Sequence, residues 1–245
     1  MDACVYKSGG LYVATIRYEL VEEGDKEQIE RLTENTFPWG DYIADVFDEW
    51  IKEGIFIKAV DDYGKILGIL HVRIFKDFAW LEGIRVKQEL RRKGIGIGLT
   101  RKGIEMSGMK VFRLMTNERN VPSIQLAKSL GFKEIDDIYY IHQGLEAGAR
   151  EIAEEFGFKE CSEIPKIRGY VDRWVWFPIE DYKGKVYSNG EIVMLDTKPV
   201  FFAQGFLEGY RQYTKHFDSD YERFVVFELK IDDKAYQTNY GLQQH

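Results

Sequence analysis

A chain of 245 residues, 44% hydrophobic and 31% charged, is long enough to bury a core and has the composition of a globular protein. Its net charge of -7 argues against a nucleic-acid partner, and Cys4 and Cys161 are too few and too far apart for a disulfide framework or a metal cluster. No apolar run reaches the length of a membrane span, the acidic start does not read as a signal peptide, and the four histidines show no ligand spacing. The expectation is a cytoplasmic protein with no metal and no membrane attachment.

In chain order, Leu11 to Val21 alternates as a strand, Gly24-Asp25 breaks it, and Lys26 to Asn35 reads as a helix with Asp25 as its N-cap. A turn-rich aromatic link, Thr36 to Tyr42, leads into a second helix, Ile43 to Glu53, with Ile43, Val46, Phe47, Trp50 and Ile51 on one face. Ile55 to Val60 and Lys65 to Phe75 are strands joined at the turn Asp61-Asp-Tyr-Gly64, and Lys76-Asp77 turns the chain into a third, Phe78 to Val86.

Next comes Arg91-Arg92-Lys93-Gly94-Ile95-Gly96, opening a helical register through Ile97, Leu99, Ile104 and Met106. A helix start leaves backbone N–H groups without partners and carries the positive end of the macrodipole. Glycines there admit a phosphate close to the backbone, and three cations add charge. The stretch reads as a diphosphate cradle, although a GxG at such a corner also suits a plain tight turn. It is not a P-loop, for no Gly-Lys-Ser/Thr is present, and the glycine spacing is not a dinucleotide fingerprint.

Val111 to Thr116 and Glu134 to His142 supply two more strands around a helix from Pro122 to Leu130, closed by Gly131 with Phe132 packing back. The sum is an α/β protein: a mixed sheet with helices on both faces. After Leu145 the texture changes. A connecting helix, Glu146 to Phe156, leads to an aromatic-rich remainder with strand-like runs at Tyr170 to Phe177, Glu191 to Leu195, Val200 to Ala203 and Arg223 to Lys230. The expected division is residues 1–145 and a small antiparallel α+β accessory domain, 146–245.

Arg-x-x-Gly-x-Gly after the strand ending at Val86, followed by Asn120-Val-Pro-Ser123-Ile-Gln-Leu126 and Leu130-Gly131-Phe132, resembles the paired motifs of the GNAT superfamily of acyl-CoA N-acyltransferases. The resemblance covers about residues 12 to 143 and implies the GNAT fold, with acetyl-CoA as cosubstrate and no metal. It implies that backbone N–H groups around Arg91, Arg92, Lys93, Gly94, Ile95, Gly96 and Ile97 hold the CoA diphosphate. The strand edge at Ile84, Arg85 and Val86 would take the pantetheine arm and offer an N–H to the thioester oxygen, and Asn120 and Ser123 would contact the cofactor. The link between the first two helices overhangs the acceptor pocket in this family, so Trp39, Asp41 and Tyr42 become candidates for substrate contact; Phe37 and Trp39 equally suit a hydrophobic clamp. The FPWGDYI link, the LEGIRV strand and the segment with Trp174 and Trp176 bear a looser resemblance to the vertebrate histidine N-acetyltransferase group.

Acetyl transfer to an amine needs a group to remove the amine's proton. Strand alternation would put Trp80, Glu82, Ile84 and Val86 on one side, which places Glu82 near the mouth of the groove as general base. Its position is similar to that of the base in spermidine/spermine acetyltransferases; the bland alternative is an ion pair with Arg85 or Arg113. Many family members carry a Tyr after the Leu of the second block to protonate the CoA sulfur. Here that residue is Ala127, so Tyr139, Tyr140, Ser123 or water would substitute, or the thiolate would leave unassisted. The reading is an N-acetyltransferase for a primary amine of a small molecule or amino acid. The alternatives are a protein N-terminal or lysine acetyltransferase and a catalytically silent acyl-CoA-binding module. The family commonly dimerises, and no stretch here demands a homodimer.

Overall fold

The computed structural model describes residues 3–7, 11–34, 36 and 40–232. The chain divides into two compact units, one comprising Met1–Arg113 and Leu229–His245 and the other Leu114–Glu228.

The first unit opens on a hairpin, β1 (Ala3–Lys7) and β2 (Leu11–Thr15), paired antiparallel from Ala3↔Thr15 to Lys7↔Leu11. The strand expected over Leu11 to Val21 is therefore two, because the chain breaks at Ile16 and continues as β3 (Arg17–Leu20). Helices α1 (Lys26–Thr33) and α2 (Ile43–Trp50) follow. Asp25 does not cap α1 with its side chain. Its Oδ2 instead accepts from the Glu22 backbone N–H at 2.7 Å and from Lys58 Nζ at 2.6 Å, and the ammonium is a stronger partner for a carboxylate than a helix amide.

Three strands then run as expected: β4 (Ile55–Val60), β5 (Ile66–Ile74) and β6 (Ala79–Val86). They pair antiparallel in sequence order, and β3 joins the outer side of β4. Helix α3 (Ile95–Ser107) precedes β7 (Val111–Asn117), whose first residues pair parallel with β6 at Ala79↔Phe112 and Trp80↔Arg113.

Helices cover both faces of this sheet. On one, Ile29, Ile43, Phe47 and Trp50 from α1 and α2 pack on Phe56, Val60, Ile66 and Ile69, each large side chain stabilising by roughly 2 kcal/mol. On the other, α3 lies so close that a Cβ on Gly103 would stand 2.9 Å from Val72 Cγ2 and 3.2 Å from Leu70 Cδ2. The strand β6 departs from simple alternation: Ile69 pairs with Arg85 but His71 with Glu82, so Gly83 and Ile84 together oppose Leu70. This is a β-bulge, with Gly83 at φ +64.

The second unit carries α4 (Val121–Ser129), β8 (Lys133–Ile141) and α5 (Ala149–Phe156). Gly131, at φ +89, ends α4, and the Phe132 N–H donates back to the Ala127 carbonyl at 3.1 Å, as the Leu-Gly-Phe pattern led one to expect. After α5 come β9 (Lys159–Cys161), β10 (Gly169–Asp172), β11 (Val175–Pro178), β12 (Val186–Ser188), β13 (Val193–Leu195), β14 (Phe201–Gln204), β15 (Gln212–Thr214) and β16 (Glu222–Lys230). From β16 the pairing order is β8, β15, β14, β13, β12, β9; every pair is antiparallel except β14 with β15, which run parallel. The run Tyr170 to Phe177, expected as one strand, is a hairpin of β10 and β11 turned at Arg173 and Trp174, both at positive φ. Its core gathers Ile152, Phe158, Tyr187, Met194, Phe202 and Tyr210. Most of the aromatic side chains of this part of the chain are buried, while Phe156, Trp174 and Phe217 stand exposed.

Candidate functional site

The turn and the helix start form where the glycines placed them. A short turn, Gln88–Leu90, follows β6, and α3 starts behind Gly94, whose φ of +84 is the left-handed conformation that glycine adopts without strain. The Gly98 N–H donates to the Gly94 carbonyl at 2.9 Å, and the N–H groups of Ile95, Gly96 and Ile97 make no hydrogen bond within the described residues. Arg91, Arg92 and Lys93 are exposed, and space beside Gly94 is open. Free amides at the positive end of a 13-residue helix, beside three cations, fit a diphosphate. The turn is pinned below: Arg91 Nε donates to the Val86 carbonyl at 3.3 Å. Lys87 sits near Lys65, and its ammonium is held below the usual lysine range by desolvation first and by that neighbouring charge second.

Gly98 has a different task. A Cβ there would lie 1.8 Å from the Tyr18 hydroxyl, so the third glycine of the run makes room for a β3 side chain beneath the helix.

The parallel ladder on β6 ends at Trp80, and no strand pairs with residues 81–86 on that side among the described residues. An unpaired strand side of this kind is where an extended ligand can add as a further strand, although the Ile84 carbonyl already accepts from Arg85 Nη1 at 3.0 Å and the Val86 carbonyl from Arg91. The bulge, however, changes what faces where. Glu82 and Arg85 lie on the α2 side with Trp80, and Val86 falls on the α3 side with Gly68, so the expected common side for Glu82, Ile84 and Val86 does not hold.

Glu82 meets neither Arg85 nor Arg113. Its Oε1 lies 2.9 Å from His71 Nδ1 and 3.6 Å from Arg73 Nε, with the carboxylate side chain 15% exposed. The partners Glu82 does have, His71 and Arg73, are not among the residues singled out from sequence. The hairpin turn at Lys76-Asp77 carried the signal: the register Ile74↔Ala79, continued inward, puts 71 opposite 82.

Asp41 is spent on structure. Its carboxylate, 1% exposed, accepts from Arg85 Nε at 2.7 Å and from a terminal guanidinium nitrogen at 3.1 Å, and its Oδ1 also accepts from the Ile43 N–H at 3.3 Å. Tyr42 stands 46% exposed with the Arg85 guanidinium 5.5 Å from its ring centre. Its hydroxyl is pushed above the ordinary phenol value by desolvation first, with Glu82 and Asp41 adding and Arg85 opposing. Asp41, Tyr42, Glu82 and Arg85 are thus brought together. Trp39 lies outside the described residues, with Phe37 and Pro38.

In the second unit, Asn120 caps α4 by accepting from the Ser123 N–H at 3.3 Å. Ala127 is 1% exposed, its position turned into the core. Tyr139 donates its hydroxyl to Asp137 at 3.1 Å, and Tyr140 packs on Tyr213, Trp174 and Phe224; burial raises both phenols above their ordinary value.

Residues 26–132 match the model of a family described as "Acetyltransferase (GNAT) family". No curated protein matches the chain significantly. Among solved structures, a putative acetyltransferase from Thermoplasma acidophilum is 17% identical, with a TM-score of 0.61, over 87% of this chain and 99% of that one; it shows that the two share a fold. The ribosomal-protein-S18-alanine N-acetyltransferase of Escherichia coli is 15% identical over 89% of this chain and 95% of its own, TM-score 0.47. Arabidopsis thaliana NAA60 in complex with acetyl-CoA is 17% identical over 51% and 90%, TM-score 0.46. No helix among the described residues is long and apolar enough to cross a membrane.

Proposed function

We infer, from the match of residues 26–132 to the GNAT acetyltransferase family model, an acetyl-CoA-dependent N-acetyltransferase that modifies the primary amine of a small molecule or amino acid. The observation that carries this reading is the cradle, three amides without partners behind a left-handed glycine and three exposed cations. Arg91, Arg92, Lys93, Gly94, Ile95, Gly96 and Ile97 hold the diphosphate, and the open edge of β6 at Ile84, Arg85 and Val86 receives the arm. Acetyl-CoA bound there supplies the acetyl thioester.

The chain's own residues then have two tasks. Glu82 takes the proton from the attacking amine, which has no lone pair until it is lost. Tyr42, exposed beside Glu82, contacts the acceptor, while Asp41 acts on it indirectly by holding Arg85 under the Tyr42 ring. We propose residues 1–145 as the catalytic region and 146–245 as its accessory. The buried Ala127 favours a second reading, a silent acyl-CoA-binding domain, because no hydroxyl stands where the family's thiol donor does.

Calorimetric titration with acetyl-CoA, using desulfo-CoA and ATP as controls, tests the first step. Micromolar binding lost in Gly96→Glu is expected; a folded protein that ignores acetyl-CoA overturns the reading. CoA release across an amine panel, compared with Glu82→Gln, separates the two readings. A wild type that releases CoA and a mutant that does not is the transferase; no release by either, with binding intact, is the silent domain.

A further inference from the structure

His71 is wholly buried, and each of its ring nitrogens faces an oxygen. Nε2 lies 2.6 Å from the Glu53 carbonyl, which can only accept, so Nε2 carries a hydrogen and donates it. Nδ1 lies 2.9 Å from Glu82 Oε1. Were neither group protonated, two lone pairs would face each other at hydrogen-bonding distance. A proton therefore lies between them.

The ring is fixed from every side. Trp50 stacks on it at 4.4 Å between centroids and 9° between planes, and Phe56 meets it edge-on at 5.9 Å. Gly54 leaves the space: a Cβ there would stand 3.1 Å from Nε2 and 2.3 Å from the Val72 carbonyl. The charged groups around the pair are Glu82 itself, Arg73 at 3.6 Å from the same oxygen, Glu49, which meets Arg73 at 3.6 Å, and the Asp41–Arg85 ion pair gathered with Glu82 around Tyr42. A nonpolar residue at 71 would satisfy the aromatic packing. An imidazole with both nitrogens engaged does more.

We propose that His71 is the positioning residue for Glu82: it holds Oε1 through the Nδ1 hydrogen, locks the carboxylate's rotation, and leaves Oε2 directed to the amine. This rests on the transferase reading above. In the proton step an N–H bond of the protonated amine breaks and an O–H bond forms at Oε2, while the Nδ1 hydrogen stays in its bond to Oε1, so that the carboxylate becomes neutral and the pair takes up the positive charge the amine gives up.

Two substitutions split the ring's functions. An Asn amide nitrogen stands near the place of Nδ1, and a Gln amide nitrogen near that of Nε2. His71→Asn keeps a donor to Glu82, and His71→Gln keeps only the anchor to the Glu53 carbonyl. With any amine the wild type turns over, His71→Gln should lose about tenfold or more in kcat at unchanged KM for acetyl-CoA, and His71→Asn should recover to within about threefold of wild type. Equal rates in the two variants would overturn the proposal.

Because a buried substitution can unfold the chain, a measurement on the unmutated protein stands beside it. Nitrogen-15 spectra of the full chain labelled at histidine should show a hydrogen on each ring nitrogen of His71, with the Nδ1 hydrogen lost in Glu82→Gln. A bare Nδ1 in the wild type overturns the proposal whether or not acetyl-CoA binds. Absence of acetyl-CoA binding by a wild type that does show both hydrogens removes the transferase reading instead, and with it any catalytic role for the pair.

Discussion

Asp41 and Arg85, 44 positions apart, form a two-point ion pair in which the carboxylate is 1% and the guanidinium side chain 14% exposed. Removing one partner of such a pair leaves the other charge buried and uncompensated, at about 3 kcal/mol or more. Asp41→Ala should lower the urea midpoint accordingly. Asp41→Asn, which keeps one acceptor, should cost less. If both leave the midpoint unchanged, the pair does not order the link that carries Tyr42.

Gly98→Ala would drive a methyl into the Tyr18 hydroxyl, for the built Cβ stands 1.8 Å from it. Overpacking of this kind costs about 1–3 kcal/mol. The double variant Tyr18→Ala/Gly98→Ala should be more stable than the sum of the single losses, because the methyl then has room. Chemical denaturation of the four proteins measures the coupling directly; strict additivity would mean the helix start shifts away from Tyr18 at no cost.

Arg173 is exposed and holds φ +47 in the turn between β10 and β11. A side chain in the left-handed region costs about 1–2 kcal/mol, and Asn tolerates it better. Arg173→Asn should therefore raise the melting temperature, since the Arg173 N–H bond to the Lys198 carbonyl at 2.7 Å is backbone and survives the change. An unchanged or lower melting point would show that the guanidinium makes up for the strain.

Tyr170 packs between Phe177 and Tyr182, and its phenol is raised from 10.0 to about 12, by burial first and by Asp172 and Asp181 after it. A raised acid ionises first in the unfolded chain. Its contribution is thus whole below pH 10.0 and lost as pH climbs towards about 12. Stability measured across that window should fall less steeply in Tyr170→Phe than in the wild type, and parallel curves would place the ionisation elsewhere.

What the sequence made legible was local. The strands β4, β5 and β6 followed from alternation and turn residues, and α3 from its glycine-rich start, because each is specified within about ten residues. The hairpin at Arg173 was hidden, for a run of aromatic and β-branched residues interrupted only by Asp172 and Arg173, with no Gly or Asn, looks like one strand. The bulge in β6 was hidden too, since Gly83 reads as an ordinary strand interior until its partner's register is known. The pairing of His71 with Glu82 follows from the register of the Lys76-Asp77 turn, a signal readable once the two strands are joined there, whereas the partner of Asp41 lies 44 residues away, where no local pattern reaches.

The bulge has a consequence for recognising this His–Glu pair in other chains. A Cβ on Gly83 would lie 2.3 Å from the Trp50 ring, and that ring is the surface on which His71 lies flat. Filling position 83 would displace the indole, and the imidazole would lose its bed. Positions 50, 71, 82 and 83 therefore work as a single word. A carboxylate in an equivalent strand, but followed by a residue with a side chain, would need another way to be held, and a search by Glu alone would collect carboxylates fixed by different means.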